Sequence, residues 1–83
     1  MALSPGMEMK FSELHQGDRA RVIEVDPRAK HNLRLQEMGL TVGTEFTVVK
    51  VAPFGDPIEV DFRGTRLCLR KGETEGYELE MVG

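Results

Sequence analysis

Few side chains in this sequence are suited to chemistry, and their spacing limits what they can do. The histidines are His15 and His31, the one cysteine is Cys68, and Glu73, Glu75, Glu78 and Glu80 crowd the C-terminal stretch. Catalysis needs groups that converge with tuned pKa values. His15 and His31 fall in polar contexts on separate elements. Cys68 sits between Arg66 and Arg70 on a segment where it faces outward. Flanking cations lower a thiol pKa, yet a surface cysteine without a role is the commoner case. There is no Cys-x-x-Cys, no His-x-x-x-His and no glycine-rich phosphate loop. Glu78 and Glu80 share one strand face and, with His15, are the loosest candidate ligands for a divalent ion. Solvated carboxylates on an outer strand are the default reading. No cofactor and no built-in metal site are therefore expected, and the chain reads as a binding module, not an enzyme.

The scaffold for these residues reads as small and mainly β. Residues 1–9 carry no hydrophobic period, include three methionines and read as a flexible tail; the domain is expected over 10–83. Residues 11–14 suit one helical turn. A β-branched strand follows over 19–26. Asp26 as N-cap and Pro27 in the first turn then predict a helix over 28–38, closed by Gly39 in a left-handed conformation. Leu35 with Met38, and Ala29 with Leu33, place apolar groups at helical spacing. Strands are expected at Glu45–Val51, Ile58–Phe62, residues 65–70 and Tyr77–Met81, with a short helical turn at Lys71–Thr74. Arg63-Gly64 makes the turn of a tight hairpin. In that hairpin Ile58, Val60, Phe62, Leu67 and Leu69 face inward. Five short antiparallel strands in 83 residues cannot bury two faces of a sandwich. Curling into a small barrel with one short α-helix encloses one core.

Composition narrows the class. The chain is 40% hydrophobic and 30% charged, which fits a soluble globular domain. A net charge of −3 argues against a free-standing nucleic-acid binder. No apolar run approaches the roughly 18 residues of a membrane span, and no secretory leader is visible. A single cysteine excludes an internal disulfide and fits a reducing compartment, so a cytoplasmic location without membrane insertion is expected.

Charge comes in blocks. Residues 19–34 carry +3, 35–62 carry −4, 63–72 carry +4 and 73–83 carry −4. The favoured reading is cross-strand ion pairs on solvated outer faces. The sharper one is a basic patch of the helix and the 66–71 segment that steers an acidic partner. Phe54 tops a loop between Pro53 and Pro57. Such an aromatic either folds back over the barrel mouth or anchors a partner. Folding back is favoured for a monomer, because an exposed phenylalanine costs solubility.

Three stretches carry a family resemblance: Arg34-Leu35-Gln-Glu-Met-Gly39-Leu40-Thr-Val-Gly43, then Val48-Val-Lys-Val-Ala-Pro53-Phe54-Gly55-Asp56-Pro57-Ile58, then Leu67-Cys-Leu69-Arg70-Lys71. Their order and spacing resemble the FeoA family of bacterial ferrous iron uptake, from about Leu14 to Met81. Val42 departs from a pattern that often has proline there. The resemblance implies an SH3-like β-barrel. It also implies an accessory role: binding the cytoplasmic, GTP-binding part of the FeoB transporter and modulating Fe(II) transport. The alternative is a metal- or effector-sensing module of the kind found at the C-terminus of DtxR-type repressors. A peptide-binding SH3 domain fits less well, with one Tyr and no Trp to line a polyproline groove. The expected partner surface is Leu33, Arg34, Leu35, Met38, Gly39 and Leu40, with Pro53, Phe54, Gly55, Asp56, Pro57 and Arg70. Exposed sheet edges would also permit pairing between copies.

Overall fold

The computed structural model describes residues 9–82. Five strands form one antiparallel sheet: β1 (Arg19–Val25), β2 (Glu45–Val51), β3 (Ile58–Phe62), β4 (Thr65–Leu69) and β5 (Tyr77–Met81). Their order is β4-β3-β2-β1-β5, so the last strand docks beside the first. Three 3-10 turns at Phe11–Glu13, Lys30–Asn32 and Lys71–Thr74 and one short helix, α1 (Leu33–Glu37), complete the described elements.

All five strands turn side chains into one core. Val22, Phe46, Val48, Val60, Leu69, Tyr77 and Leu79 are each at most 2% exposed. Phe11 stacks on Phe46 with centroids 5.3 Å apart and meets Tyr77 edge-on at 5.6 Å. Two bulges bend the sheet around this core. The register shifts between Val22 and Glu24 against β5, and between Val48 and Lys50 against β3. Each adds one residue to its strand, Ile23 and Val49, and such insertions raise local twist. Beyond Val49 the alternation resets, so Lys50 stays exposed and Val51 packs on the core.

The N-terminal boundary differs from the expected one. Residues 1–8 of the stretch read as a tail lie outside the described residues. Met9 is 7% exposed and bridges Leu79, its N–H donating at 2.8 Å and its carbonyl accepting at 2.9 Å. Met9 thus belongs to the sheet.

The helix expected over 28–38 is also corrected. Asp26 Oδ1 accepts the Arg28 N–H at 2.9 Å and the Asp26 carbonyl accepts the Ala29 N–H at 3.1 Å. Together they make a local turn in place of a helix start. Asn32 then leaves helical geometry, at φ −100° and ψ 8°, because its side chain is engaged elsewhere. It is fully buried, donates to the Glu75 carbonyl at 3.0 Å and accepts from Gln36. Only Leu33–Glu37 is α-helical, and of its side chains only Leu35 is buried. Its end follows expectation. Gly39 takes φ +105°, the Leu40 N–H donates to Leu35 at 2.9 Å, and the Gly39 N–H donates to Gln36 at 3.0 Å.

Candidate functional site

The 53–57 loop is braced at its base and on one side. The Ala52 N–H donates to the Pro57 carbonyl at 3.1 Å, and the Gly55 N–H to the Ala52 carbonyl at 2.8 Å. Asp56 Oδ1 accepts the Lys71 N–H at 2.8 Å, tying the loop to the turn after β4. Phe54, at the tip, is 97% exposed. This overturns the folded-back reading. The loop's internal bonds hold it by backbone and by Asp56, and they leave the ring outside. Beside the ring runs a groove of about 400 Å³. Phe11, Ile58 and Leu69, all buried, give it apolar depth, while Lys10 and Lys71 supply cations. Lys10 is ion-paired with Glu78.

The helix side is only partly as expected. Leu33 is 57% exposed, Met38 44% and Val42 60%. Leu35 and Leu40 are fully buried, so they hold the core and cannot touch a partner. Arg34 faces solvent but is engaged. Its Nε and Nη2 reach Glu73 Oε2 and Oε1 at 2.5 and 2.8 Å, and Nη2 also reaches the Cys68 carbonyl at 3.3 Å. The Arg34 hydrogen bonds pull the Glu73 carboxyl down to about 2, and the Arg70 N–H, donating at 3.2 Å, adds to the effect. Within the turn that follows, Thr44 is buried, donates to the Gly39 carbonyl at 3.0 Å and fixes the exit from α1.

The loose metal candidates do not converge. Glu78 pairs with Lys10, Glu80 with Arg21 at 2.9 Å, and His15 lies 3.7 Å from Asp18. Among the described residues no group of three His, Cys, Asp or Glu side chains is placed to hold an ion. Cys68 is exposed on β4, as read. The charge blocks split. Arg19, Arg21, Arg28 and Arg34 each form an ion pair. Arg63, Arg66, Arg70 and Lys71 form none among the described residues. The expected patch therefore loses Arg34 to Glu73 and keeps Arg66, Arg70 and Lys71. Sequence reasoning missed the groove, because its walls come from segments far apart in the chain. It did place Phe54 at a loop tip.

A family model described as FeoA domain matches residues 9–76, most of the chain. The chain belongs to the FeoA family. In Porphyromonas gingivalis, an Fe(2+) transport protein A/Fe(2+) transporter FeoB fusion protein is 35% identical over 74 residues. That match covers 89% of this chain and 9% of the relative, so the chain spans about a tenth of its curated relative. The FeoA protein of Chlorobium tepidum is 41% identical with a TM-score of 0.76, over 90% of this chain and 71% of that one. The zinc-complexed FeoA of Stenotrophomonas maltophilia, an SH3 domain protein, is 31% identical with a TM-score of 0.69, over 86% and 88%. These FeoA likenesses bear out the mainly β, SH3-like fold. IdeR of T. acidophilum superposes at a TM-score of 0.78 but 15% identity, over 98% of this chain and 37% of that one, which shows a shared fold and no more. No helix among the described residues is long and apolar enough to cross a membrane.

Proposed function

We propose that this FeoA-family chain is a cytoplasmic, non-catalytic accessory of ferrous iron uptake. It docks on the cytoplasmic, GTP-binding part of a FeoB-type transporter and modulates Fe(II) transport. The observation that carries the docking surface is Phe54, 97% exposed on a loop held by Asp56 and standing at the rim of an apolar groove. A large aromatic kept in water on a braced loop is preorganised to bury itself in a partner. Leu33, Met38 and Val42 extend the exposed apolar surface elsewhere. The Porphyromonas gingivalis relative carries transport protein A and FeoB in one chain, which supports physical association of the two. The repressor-type alternative requires a metal or effector site; Glu78 and Glu80 are ion-paired with Lys10 and Arg21, and with His15 they form no ligand cluster among the described residues.

The test is calorimetric titration of this protein into the cytoplasmic GTP-binding portion of its own transporter, with and without guanine nucleotide. Saturable binding that Phe54→Ala weakens supports the reading. Absence of binding at high micromolar concentration in both nucleotide states removes it.

A further inference from the structure

β4 has one strand partner, β3, and stands at one end of the sheet. The opposite edge is covered in part, since Met9 bridges Leu79 of β5. Arg63 and Gly64, at φ +53° and +76°, form a two-residue turn. Such a turn makes the residues on either side of it, Phe62 and Thr65, a hydrogen-bonded pair. Alternation along the ladder then aims the backbone groups of Arg66 and Cys68 away from β3. Arg34 reads out the same phase by donating to the Cys68 carbonyl at 3.3 Å. Among the described residues no hydrogen bond reaches the Arg66 N–H, the Arg66 carbonyl or the Cys68 N–H from outside.

The charges around this edge select what it can accept. Arg66 and Arg70 are exposed and lie on the same outward side of the chain as Cys68; neither forms an ion pair among the described residues, although Glu73 is close enough to feel the Arg70 charge. Antiparallel pairing of β4 with β4 of a second copy would oppose two arginine-bearing faces, which repels. A strand with carboxylates at alternate positions would set them beside Arg66 and Arg70 while its backbone completes the ladder.

We propose that the β4 edge accepts a sixth strand: an extended acidic segment of a partner protein, hydrogen-bonded to the Arg66 N–H and carbonyl and to the Cys68 N–H, and ion-paired with Arg66 and Arg70. This goes beyond the transporter reading and does not depend on it. It concerns the sheet edge, not the Phe54 loop, and holds for whichever protein supplies the segment.

The probe is a capped synthetic peptide of alternating Glu and Thr, compared with one of alternating Lys and Thr. Both are titrated into the 15N-labelled full chain. With the Glu peptide, the Arg66 and Cys68 amide resonances shift saturably and their hydrogen exchange slows at least about tenfold, a change worth about 1.4 kcal/mol. The Lys peptide leaves them unchanged. The double variant Arg66→Glu, Arg70→Glu reverses the preference. Cys68→Pro removes an outward N–H and no ladder bond, which an edge strand tolerates, and it weakens the Glu peptide at least about tenfold. Should that variant misfold, the charge reversal still decides the matter. The proposal is overturned if the Glu peptide leaves both amides unshifted, if the two peptides act alike, or if its shifts centre on the Phe54 groove.

Discussion

Arg34 on α1 grips both carboxylate oxygens of Glu73, Nε to Oε2 at 2.5 Å and Nη2 to Oε1 at 2.8 Å. The pair joins the short helix to the turn after β4. The same carboxylate also accepts the Arg70 N–H. This is a bidentate contact with a backbone bond added, which sets it apart from a single exposed ion pair.

Its pH signature follows from the Glu73 carboxyl, held near 2 against an ordinary value of 4.5. A lowered folded-state pKa stabilises above the unfolded value and loses that contribution as pH falls. The loss therefore runs from about 4.5 down to about 2. Glu73→Gln should lower the melting temperature by a few degrees at pH 7. It should also flatten the fall of melting temperature between those two pH values. Melting curves across that range check both outcomes, and parallel curves for variant and parent would refute the link.

Tyr77 makes the opposite prediction at high pH. Its hydroxyl is buried and donates to the Leu40 carbonyl, and burial pushes its pKa up to about 12. The folded state keeps a proton that the unfolded chain sheds near 10. The stabilisation is present below 10 and is lost as pH rises toward 12. Tyr77→Phe strands the Leu40 carbonyl and should cost about 1–3 kcal/mol at pH 7. Urea unfolding of the variant should also lack the alkaline decline due to this group.

Two glycines separate close packing from mere turn chemistry. Gly76 sits at φ +87°, and a Cβ there would lie 2.8 Å from Ala29 Cβ and 3.1 Å from Asp26 Cβ. Gly76→Ala combines a left-handed penalty with overpacking and should destabilise by about 2–4 kcal/mol. A Cβ on Gly72 would meet nothing within 4 Å. Gly72→Ala should stay within about 0.5 kcal/mol of the parent. Chemical denaturation of the two variants side by side measures the contrast.

Phe54→Ala should leave stability within about 0.5 kcal/mol, since the ring touches little of its own fold. Under the proposed docking, affinity for the cytoplasmic portion of a FeoB-type transporter should drop at least about tenfold. Equal affinity in the two proteins would move the contact to another face.

β3 and β4 were legible because their inward residues alternate without interruption. Ile58, Val60 and Phe62 in β3 and Leu67 and Leu69 in β4 face the core as their spacing requires. In β1 and β2 the alternation breaks at Ile23 and Val49, and only the pairing registers show that bulges cause it. The helix was overestimated because its limit is set from outside. Asn32 is drawn toward Glu75, 43 residues away, a contact no local pattern encodes. Of the candidate site, Phe54 and its two flanking prolines stood out as a loop. The bond that braces its loop, the Lys71 N–H donating to Asp56, is again a long-range fact. Leu35 and Leu40 were expected on the partner surface, and their burial shows only in the packed core.

The placement of β5 beside β1 sets a constraint on synthesis. Val22 of β1 waits for Leu79 as its neighbour, and Tyr77 and Leu79 sit in the same core as Phe46. An emerging chain that ends before Tyr77 holds β1 to β4 but lacks the strand that flanks β1 and the side chains of Tyr77 and Leu79 in the core. Loop closure over that span must come before its contacts form, so non-local topologies of this kind fold late. The domain can therefore commit to its structure only after Met81 has left the ribosome.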